Sequence, residues 1–427
     1  MHDIDKALTA QRIYSGFPLA HDTYNALSVA NNGKVYYVLS SEDIEIGGHV
    51  YEFDPSTHTS ELIGDLTELC GEKGDKTIGQ GKSHVKFYEM DGRLYFASHV
   101  GVYELIDGMD RMYENPPNEF GLYPGGHIIS YDLASGRTED LAMVPHGEGM
   151  VAMTMDTNRG QIYGITWPTG HFVHYDVKSD QMKDLGPVAH GGEGGQPRED
   201  FRALCRSLVV DPRDGTVYFS NAEGDILSYE PVEGQISTMK MANLRLDYFG
   251  NYDPTQPGSM AYHWRKVFWY EKENAVIGVH GNSGYLFRFS PDEDRVELID
   301  RITSKLSQKN GMYDQFSYGY LGFTLGPDGE TVYYLTGGPI YENGKRVEGV
   351  KTIAKGGAKG LENLHLVTYH LPSNSYEDHG PIFYEDGSRP TYVNSIGVSD
   401  DRVYFLARMK INGREIQNLA WIEKPDE

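Results

Sequence analysis

The sequence predicts an all-β fold, a seven-bladed β-propeller built from four-stranded antiparallel blades. The main observation is a short strand of hydrophobic–Tyr–aromatic type, entered through a polar turn, that recurs seven times along the chain. The 31 tyrosines and 50 glycines among 427 residues also favour short strands joined by tight turns. Four-stranded units repeated along a chain are typical of propellers, whose blades surround a central channel.

Each repeat is predicted to contain an inner, a second, a third and an outer strand. The recurring strand is the second one, an apolar inner strand precedes it, and a hairpin of third and outer strands follows. The turns that open its seven copies begin at Asn31, Asp91, Arg159, Asp214, Glu273, Asp328 and Asp400. We expect the segment before the first inner strand to supply the outer strand of the last blade and so close the ring.

We expect one propeller domain over residues 1–427, with loop insertions near 106–126, 189–201 and 338–360. The alternative for so many short strands is a two-sheet sandwich, but seven regular repeats argue against it. The repeats lack the Gly-His and Trp-Asp motifs that are typical of WD repeats.

The formal net charge of −24 argues against a nucleic-acid partner or an anionic membrane surface, since both require a basic face. Two cysteines far apart in sequence do not suggest a disulfide framework. The first twenty residues, MHDIDKALTAQRIYSGFPLA, have no basic start followed by an apolar run. We therefore expect a cytoplasmic protein, although a secreted or periplasmic chain with its leader removed would look the same.

Propeller topology predicts where a ligand would bind. The start of an inner strand and the end of a second strand lie at one face of the ring, because a hairpin joins the two strands at the other face. Candidate residues at inner-strand starts are Asn25, His84, Arg206, Tyr262, Arg265, Tyr320 and Asn394. Candidates at second-strand ends are His99, Trp167 and His280.

The pair His84 and His99 is the most informative feature of this face. The two residues are expected to face each other across one hairpin, where two imidazoles would suit proton transfer or a metal ion. They could equally be histidines that hydrogen-bond to the backbone. His146 and His171 are predicted to lie in loops.

The arginines of the same face suggest an anionic ligand. Arg206 and Arg265 would suit a carboxylate ligand, or would pair with a structural Asp or Glu. His280 is expected to face the histidine pair across the channel.

The second repeat resembles blade two of the propeller polysaccharide lyases, which include ulvan lyases and rhamnose–glucuronate lyases. The residues that carry the resemblance are Gly81, Lys82, His84, Asp91, Gly92, Tyr95, Phe96, His99 and Gly101. The phrases YGITWPTGHFVHYDV and CRSLVVDPRDGTVYFS are similar to blades three and four of that group. The resemblance is specific over about 120 residues and agrees with the repeat count over the whole chain.

The resemblance implies a carbohydrate lyase that cleaves a 4-linked uronic-acid bond of the glucuronate or iduronate type by β-elimination. It implies His84 and His99 as acid and base, and Arg206, with Arg265, as the group that neutralises the carboxylate. At the mouth end of blade three, where the family leads us to expect a tyrosine, this chain has Trp167. Tyr262 or Tyr320 would have to replace that tyrosine, and Trp167 would stack on a sugar.

The resemblance also bears on cofactors and partners. Some relatives carry a structural calcium or zinc ion, but this sequence has no CxxC, HExxH or EF-hand pattern. The implied partner is a uronate-containing oligosaccharide or polysaccharide, and the acidic surface favours a short one. Two other functions fit the same face: a non-catalytic propeller that binds a glycan or protein, and an enzyme similar to streptogramin lyase.

Overall fold

The computed structural model describes residues 7–305, 308, 322–339, 341–342, 345–346, 362–393, 395–411 and 413–425. In these residues, seven four-stranded antiparallel blades form a β-propeller, so the predicted fold class is confirmed. Neighbouring inner strands lie side by side around the ring, for example in blades 3, 4 and 5.

The strands are given from inner to outer within each blade. Blade 1 consists of Leu27–Val29, Val35–Leu39, His49–Asp54 and Thr59–Asp65. Blade 2 consists of Tyr88–Met90, Arg93–Ala97, His127–Asp132 and Thr138–Met143. Blade 3 consists of Gly149–Asp156, Gln161–Trp167, His171–Asp176 and Gln181–Pro187. Blade 4 consists of Val209–Val210, Val217–Ser220, Asp225–Glu230 and Gln235–Asn243.

The remaining blades follow the same order. Blade 5 consists of Trp264–Tyr270, Ala275–His280, Tyr285–Ser290 and Arg295–Arg301. Blade 6 consists of Phe323–Leu325, Thr331–Pro339, Glu362–His370 and Ser375–Tyr384. Blade 7 consists of Gly397–Val398, Arg402–Ile411, Arg414–Glu423 and Leu8–Arg12.

The strand Leu8–Arg12 closes the ring in the predicted way. It pairs antiparallel with the third strand of blade 7, where Gln11 lies opposite Trp421. It also pairs in parallel with the outer strand of blade 6, where Ala10 lies opposite Tyr384. Both chain ends are thereby joined in one blade, and blades 6 and 7 become one continuous eight-stranded sheet.

Burial explains the pattern of the repeats. Every residue of the second strand Val35–Leu39 is buried, whereas the outer strand Thr59–Asp65 of the same blade is largely exposed. Aromatic rings fill the space between blades, as where Phe172 packs against Phe219 at 5.0 Å between ring centroids. The hydrophobic–Tyr–aromatic triplet therefore marks the strand that packs against both neighbouring blades.

Two of the three predicted insertions can be located. The first contains the hairpin Glu104–Ile106 and Met109–Arg111 and a 3₁₀ turn at Pro117–Glu119. The second contains a 3₁₀ turn at Gly192–Gly194. Of the third, near 338–360, the structure describes only a hairpin of Tyr341–Glu342 and Lys345–Arg346 beyond the end of its strand, and most of this insertion lies outside the described residues.

Helices are few and short. The α-helix Leu66–Leu69 follows the outer strand of blade 1. Other 3₁₀ turns lie at Pro145–Gly147, Asp247–Phe249, Glu271–Glu273 and Pro291–Glu293. Among the described residues, no helix has the length and apolar character needed to cross a bilayer. Cys70 and Cys205 are buried free thiols.

Ring closure predicts a strong contrast between two neighbouring positions of Leu8–Arg12. Ala10 is 2% exposed, whereas Thr9 in the same strand is exposed. Ala10→Asp should lower the free energy of unfolding by at least about 3 kcal/mol, because it buries a carboxylate. Thr9→Asp should change it by less than about 1 kcal/mol. Denaturant unfolding measures both, and equal effects would contradict the closure.

Candidate active site

A cavity of about 200 Å³ lies at the face where inner strands start and second strands end. Six residues predicted from the sequence line it: Asn25, His84, His99, Trp167, Arg206 and Arg265. Tyr320 and Asn394 lie outside the described residues. The structure therefore brings the histidine pair and both arginines to one pocket.

The histidine pair is positioned by a close approach of two backbone segments. Lys82 and His99 form an antiparallel bridge, with N–O distances of 2.7 and 3.0 Å in its two hydrogen bonds. Just beside it, a Cβ on Gly81 would lie 2.2 Å from Cα of Gly101, so only glycine fits at this crossing. The imidazoles of His84 and His99 consequently lie 4.4 Å apart between ring centroids.

Both imidazoles are held neutral. Burial, with the nearby His99 and Lys82, lowers the pKa of His84 well below its usual value of 6.5. Burial and the charges of Lys82 and Arg206 lower the pKa of His99 in the same way. Nε2 of His84 is buried and has no hydrogen-bond partner among the described residues. An unprotonated ring nitrogen that faces a cavity can accept a proton from a ligand.

Glu193 organises one wall of the pocket. Its Oε1 accepts a hydrogen bond of 2.6 Å from Nη2 of Arg206, and its Oε2 accepts one of 3.0 Å from the indole nitrogen of Trp167. Nη1 of Arg206 is also buried, and it has no hydrogen-bond partner among the described residues. Arg206 therefore has one structural pairing and one donor group left to face a ligand.

The other cations of the pocket are Arg265 and Lys82. Arg265 is 4% exposed, and burial and the charge of Arg206 lower its pKa to about 9, so it stays charged at neutral pH. Nζ of Lys82 pairs with Glu42 at 3.1 Å and lies 4.4 Å from the centre of the Tyr103 ring. Four carboxylates, those of Asp22, Glu42, Asp110 and Glu193, also line the pocket, so an anionic ligand would depend on direct contact with the arginines rather than on a positive local charge.

Two predicted residues do not line the pocket. The hydroxyl of Tyr262 instead donates to Asn251 at 2.9 Å. His280 is fully buried, stacked on Phe249 at 4.4 Å between ring centroids, so the expectation that it faces the pair across the channel is wrong. The reason is strand alternation: His99 and Trp167 each lie six residues after the start of the second strand, whereas His280 lies only five after it.

Tyrosines that the sequence reading missed also line the pocket. Tyr24 stacks on His84 at 5.3 Å between ring centroids, and its hydroxyl lies 2.6 Å from that of Tyr392. Burial raises the pKa of Tyr24 to about 12, so its phenol stays protonated. Both tyrosines lie within two residues of the predicted positions Asn25 and Asn394, so a wider reading of the strand starts would have found them.

The two located insertions build the remaining walls. The first contributes Asp110, with Tyr103 just before it, and the second contributes Glu193 and Phe201. Tyr103 contacts the edge of Trp167 at 5.2 Å between ring centroids. Because insertions do not follow the repeat, nothing in the periodicity of the sequence could have assigned these residues to the pocket.

A second cavity of about 180 Å³ follows the inner strands and shares Asn25, His84 and Arg206 with the pocket. Lys86 and Lys266 also line it. Burial and the charge of Lys86 lower the pKa of Lys266 to about 7. The channel beneath the pocket thus adds cationic side chains to a chain that is acidic overall.

Comparison with known proteins supports the fold alone. No protein-family model and no curated protein matches the chain. One similar solved structure is a chain of the mitotic checkpoint complex, with a TM-score of 0.53 and 11% identity over 99% of this chain and 93% of that one. Another is oligogalacturonate lyase from Vibrio parahaemolyticus, with a TM-score of 0.51 and 9% identity over 98% of both chains.

The glycine crossing provides a test of how the pocket is held. Gly81→Ala should lower the free energy of unfolding by at least about 2 kcal/mol, because backbone atoms must move to admit the methyl group. Gly194→Ala is the matched control, since its nearest neighbour, Cβ of Pro168, would lie at 3.5 Å. Gly194→Ala should lower the free energy of unfolding by less than about 1 kcal/mol. Similar losses in denaturant unfolding would show that the crossing is not tight.

Proposed function

We propose that this chain is a carbohydrate lyase that cleaves a 4-linked uronate bond by β-elimination. The observation that carries the proposal is the meeting of two neutral imidazoles and two arginines in one pocket. In the reaction, a base removes the C5 proton and the electron pair forms the C4–C5 double bond. The C4–O bond breaks, and the leaving oxygen takes up a proton.

The histidine pair supplies the base. A neutral imidazole can accept the C5 proton, and the lowered pKa values of His84 and His99 keep both rings in that form at neutral pH. Nε2 of His84 and Nδ1 of His99 both lack a hydrogen-bond partner among the described residues, but Nδ1 of His99 packs against the backbone at Gly149, which makes His84 the stronger candidate for proton abstraction. His99 then supports and polarises the neighbouring ring.

Arg206 and Arg265 neutralise the substrate carboxylate. A C5 proton becomes acidic enough for abstraction only when the developing negative charge on the carboxylate is stabilised. Nη1 of Arg206 is buried without a hydrogen-bond partner among the described residues while Nη2 remains on Glu193, so we assign this contact to Nη1. Lys266 in the channel carries only a partial positive charge at neutral pH, since its pKa is about 7.

Protonation of the leaving oxygen is assigned to a tyrosine. At neutral pH neither imidazole carries the proton that an acid must give, whereas the phenol of Tyr24 does. The hydrogen bond between Tyr24 and Tyr392 offers a path by which the proton is replaced. Tyr24 and Tyr392 thus replace Tyr262 and Tyr320 as candidates for the tyrosine that the family resemblance implies. The stacking of a sugar on Trp167 stays a prediction.

The proposed substrate is a short uronate oligosaccharide. The net charge of −24 repels a long polyanion more strongly than a short one. The oligogalacturonate lyase among the similar structures agrees with this class of substrate.

Ultraviolet absorbance of the unsaturated uronate product tests the activity. Incubation with a panel of glucuronate, iduronate and galacturonate oligosaccharides should produce this absorbance with at least one of them. His84→Ala and His99→Ala should lower kcat/KM by about 10²–10⁴-fold, and Arg206→Gln by about 10²–10³-fold. The control His370→Ala removes a histidine of blade 6 outside the pocket and should keep full activity. No product from any glycan, or full activity of His84→Ala, would refute the proposal.

The pH dependence of kcat/KM tests the base separately. Because the pKa values of His84 and His99 lie below 6.5, both are unprotonated at neutral pH and kcat/KM should be constant from pH 7.5 down to 6.5. It should fall only at lower pH, as the base takes up a proton. Circular dichroism at each pH separates this fall from unfolding. An acidic limb centred above pH 7 would be inconsistent with buried neutral imidazoles as the base.

A further inference from the structure

A second histidine cluster lies away from the pocket, at the junction of blades 2 and 3. Nε2 of His146 lies 2.6 Å from Oδ2 of Asp184, and Nδ1 of His171 lies 2.9 Å from Oδ1 of the same carboxylate. The two imidazole rings are 4.3 Å apart between centroids. His146 belongs to the turn Pro145–Gly147, whereas His171 and Asp184 lie on neighbouring strands of blade 3.

We propose that His146, His171 and Asp184 form a zinc site that joins the turn Pro145–Gly147 to blade 3. One donor atom from each side chain lies within 4.8 Å of the others. Zinc takes nitrogen and oxygen donors at about 2.0–2.2 Å, so neighbouring ligands of a tetrahedral ion lie roughly 3.3–3.6 Å apart. The two histidine–carboxylate separations, 2.6 and 2.9 Å, reach these values when the side chains move apart by about 0.4–1.0 Å.

The donor set selects the metal. Calcium and magnesium prefer sets of oxygen ligands, whereas two imidazoles and one carboxylate suit zinc and its late first-row neighbours. Zinc binds the unprotonated ring nitrogens of His146 and His171 and the ionised carboxylate of Asp184, so its uptake would release the protons that now join these side chains by hydrogen bonds. The Gly186 amide, 2.8 Å from Oδ1 of Asp184, fixes the orientation of the carboxylate.

Ion pairing alone is a weaker explanation of the cluster. The side chains of His146 and Asp184 are 50% and 29% exposed, and pairs with such exposure contribute only about 0–1 kcal/mol. His146 and Gly147, in the turn that carries the cluster, both adopt a φ of 65°. A metal ion would hold the turn in this conformation, and three protein ligands leave a fourth position for water.

The site would act on the pocket through the backbone. Three residues after His146, a Cβ on Gly149 would lie 2.2 Å from Nδ1 of His99, so the chain at Gly149 packs directly against the His99 ring. Between them, the carboxylate of Glu148 accepts hydrogen bonds from Thr166 and Thr169 of blade 3. The metal would therefore position His99 without touching the substrate.

Metal analysis tests the proposal without any substrate. Full-length protein, stripped with a chelator and titrated with zinc chloride, should bind about one zinc ion per chain by calorimetry and elemental analysis. His146→Ala and His171→Ala should each weaken zinc binding at least tenfold. Even the loss of a residue that only hydrogen-bonds to a metal ligand typically weakens metal binding about 10–100-fold. His370→Ala, which removes an imidazole 3.5 Å from the single carboxylate of Glu330, should bind zinc as the parent does.

Two measurements on the unaltered chain cover the case in which a variant fails to fold. Zinc should raise the melting temperature of the stripped protein, and Co²⁺ should give the visible absorbance of a tetrahedral site with nitrogen and oxygen ligands. No zinc uptake by the stripped protein would overturn the proposal. So would binding that survives in folded His146→Ala and His171→Ala, since the ion would then lie elsewhere, for instance at His84 and His99. None of these outcomes depends on lyase activity.

Discussion

The contact between Gly81 and Gly101 is the constraint on which the pocket depends. It lets two backbone segments approach so closely that Lys82 and His99 bridge one another beyond the last regular pair of the second blade. A side chain at either glycine would separate the segments, and the imidazoles of His84 and His99 would separate with them. The glycine-rich motif is therefore a structural requirement of the histidine pair rather than a ligand loop.

Most cationic side chains of the pocket are paired with carboxylates, so the pocket has no excess of positive charge. Lys82 pairs with Glu42 and Arg206 with Glu193, so the pocket walls hold cations without a large local net charge. Nη1 of Arg206 is buried without a hydrogen-bond partner among the described residues, and such a donor raises the free energy of the folded state. A ligand that accepts a hydrogen bond from it would remove this penalty. The same burial keeps the histidines neutral, and one environment thus prepares both the anion contact and the base.

The blades form the scaffold of the pocket, whereas the insertions complete its walls. The blades are held by aromatic packing between sheets and by the closing strand, and they place His99 and Trp167 through strand alternation. The insertions carry Asp110 and Glu193 to the same face and complete the walls. The turn that holds His146 leads directly to Gly149 and hence to His99, which links the edge of the propeller to its centre.

Local repetition in the sequence was enough to determine the seven blades, the closing strand and the face that carries the pocket. Each strand has its own alternation and turn, so these features can be read a few residues at a time. The partners within the pocket were decided only by tertiary structure. Tyr24 and Tyr392 are separated by 368 residues, and Glu193 reaches Arg206 from an insertion with no repeat. The expectation for His280 failed for a different reason, because a shift of one residue along a strand turns its side chain to the other face.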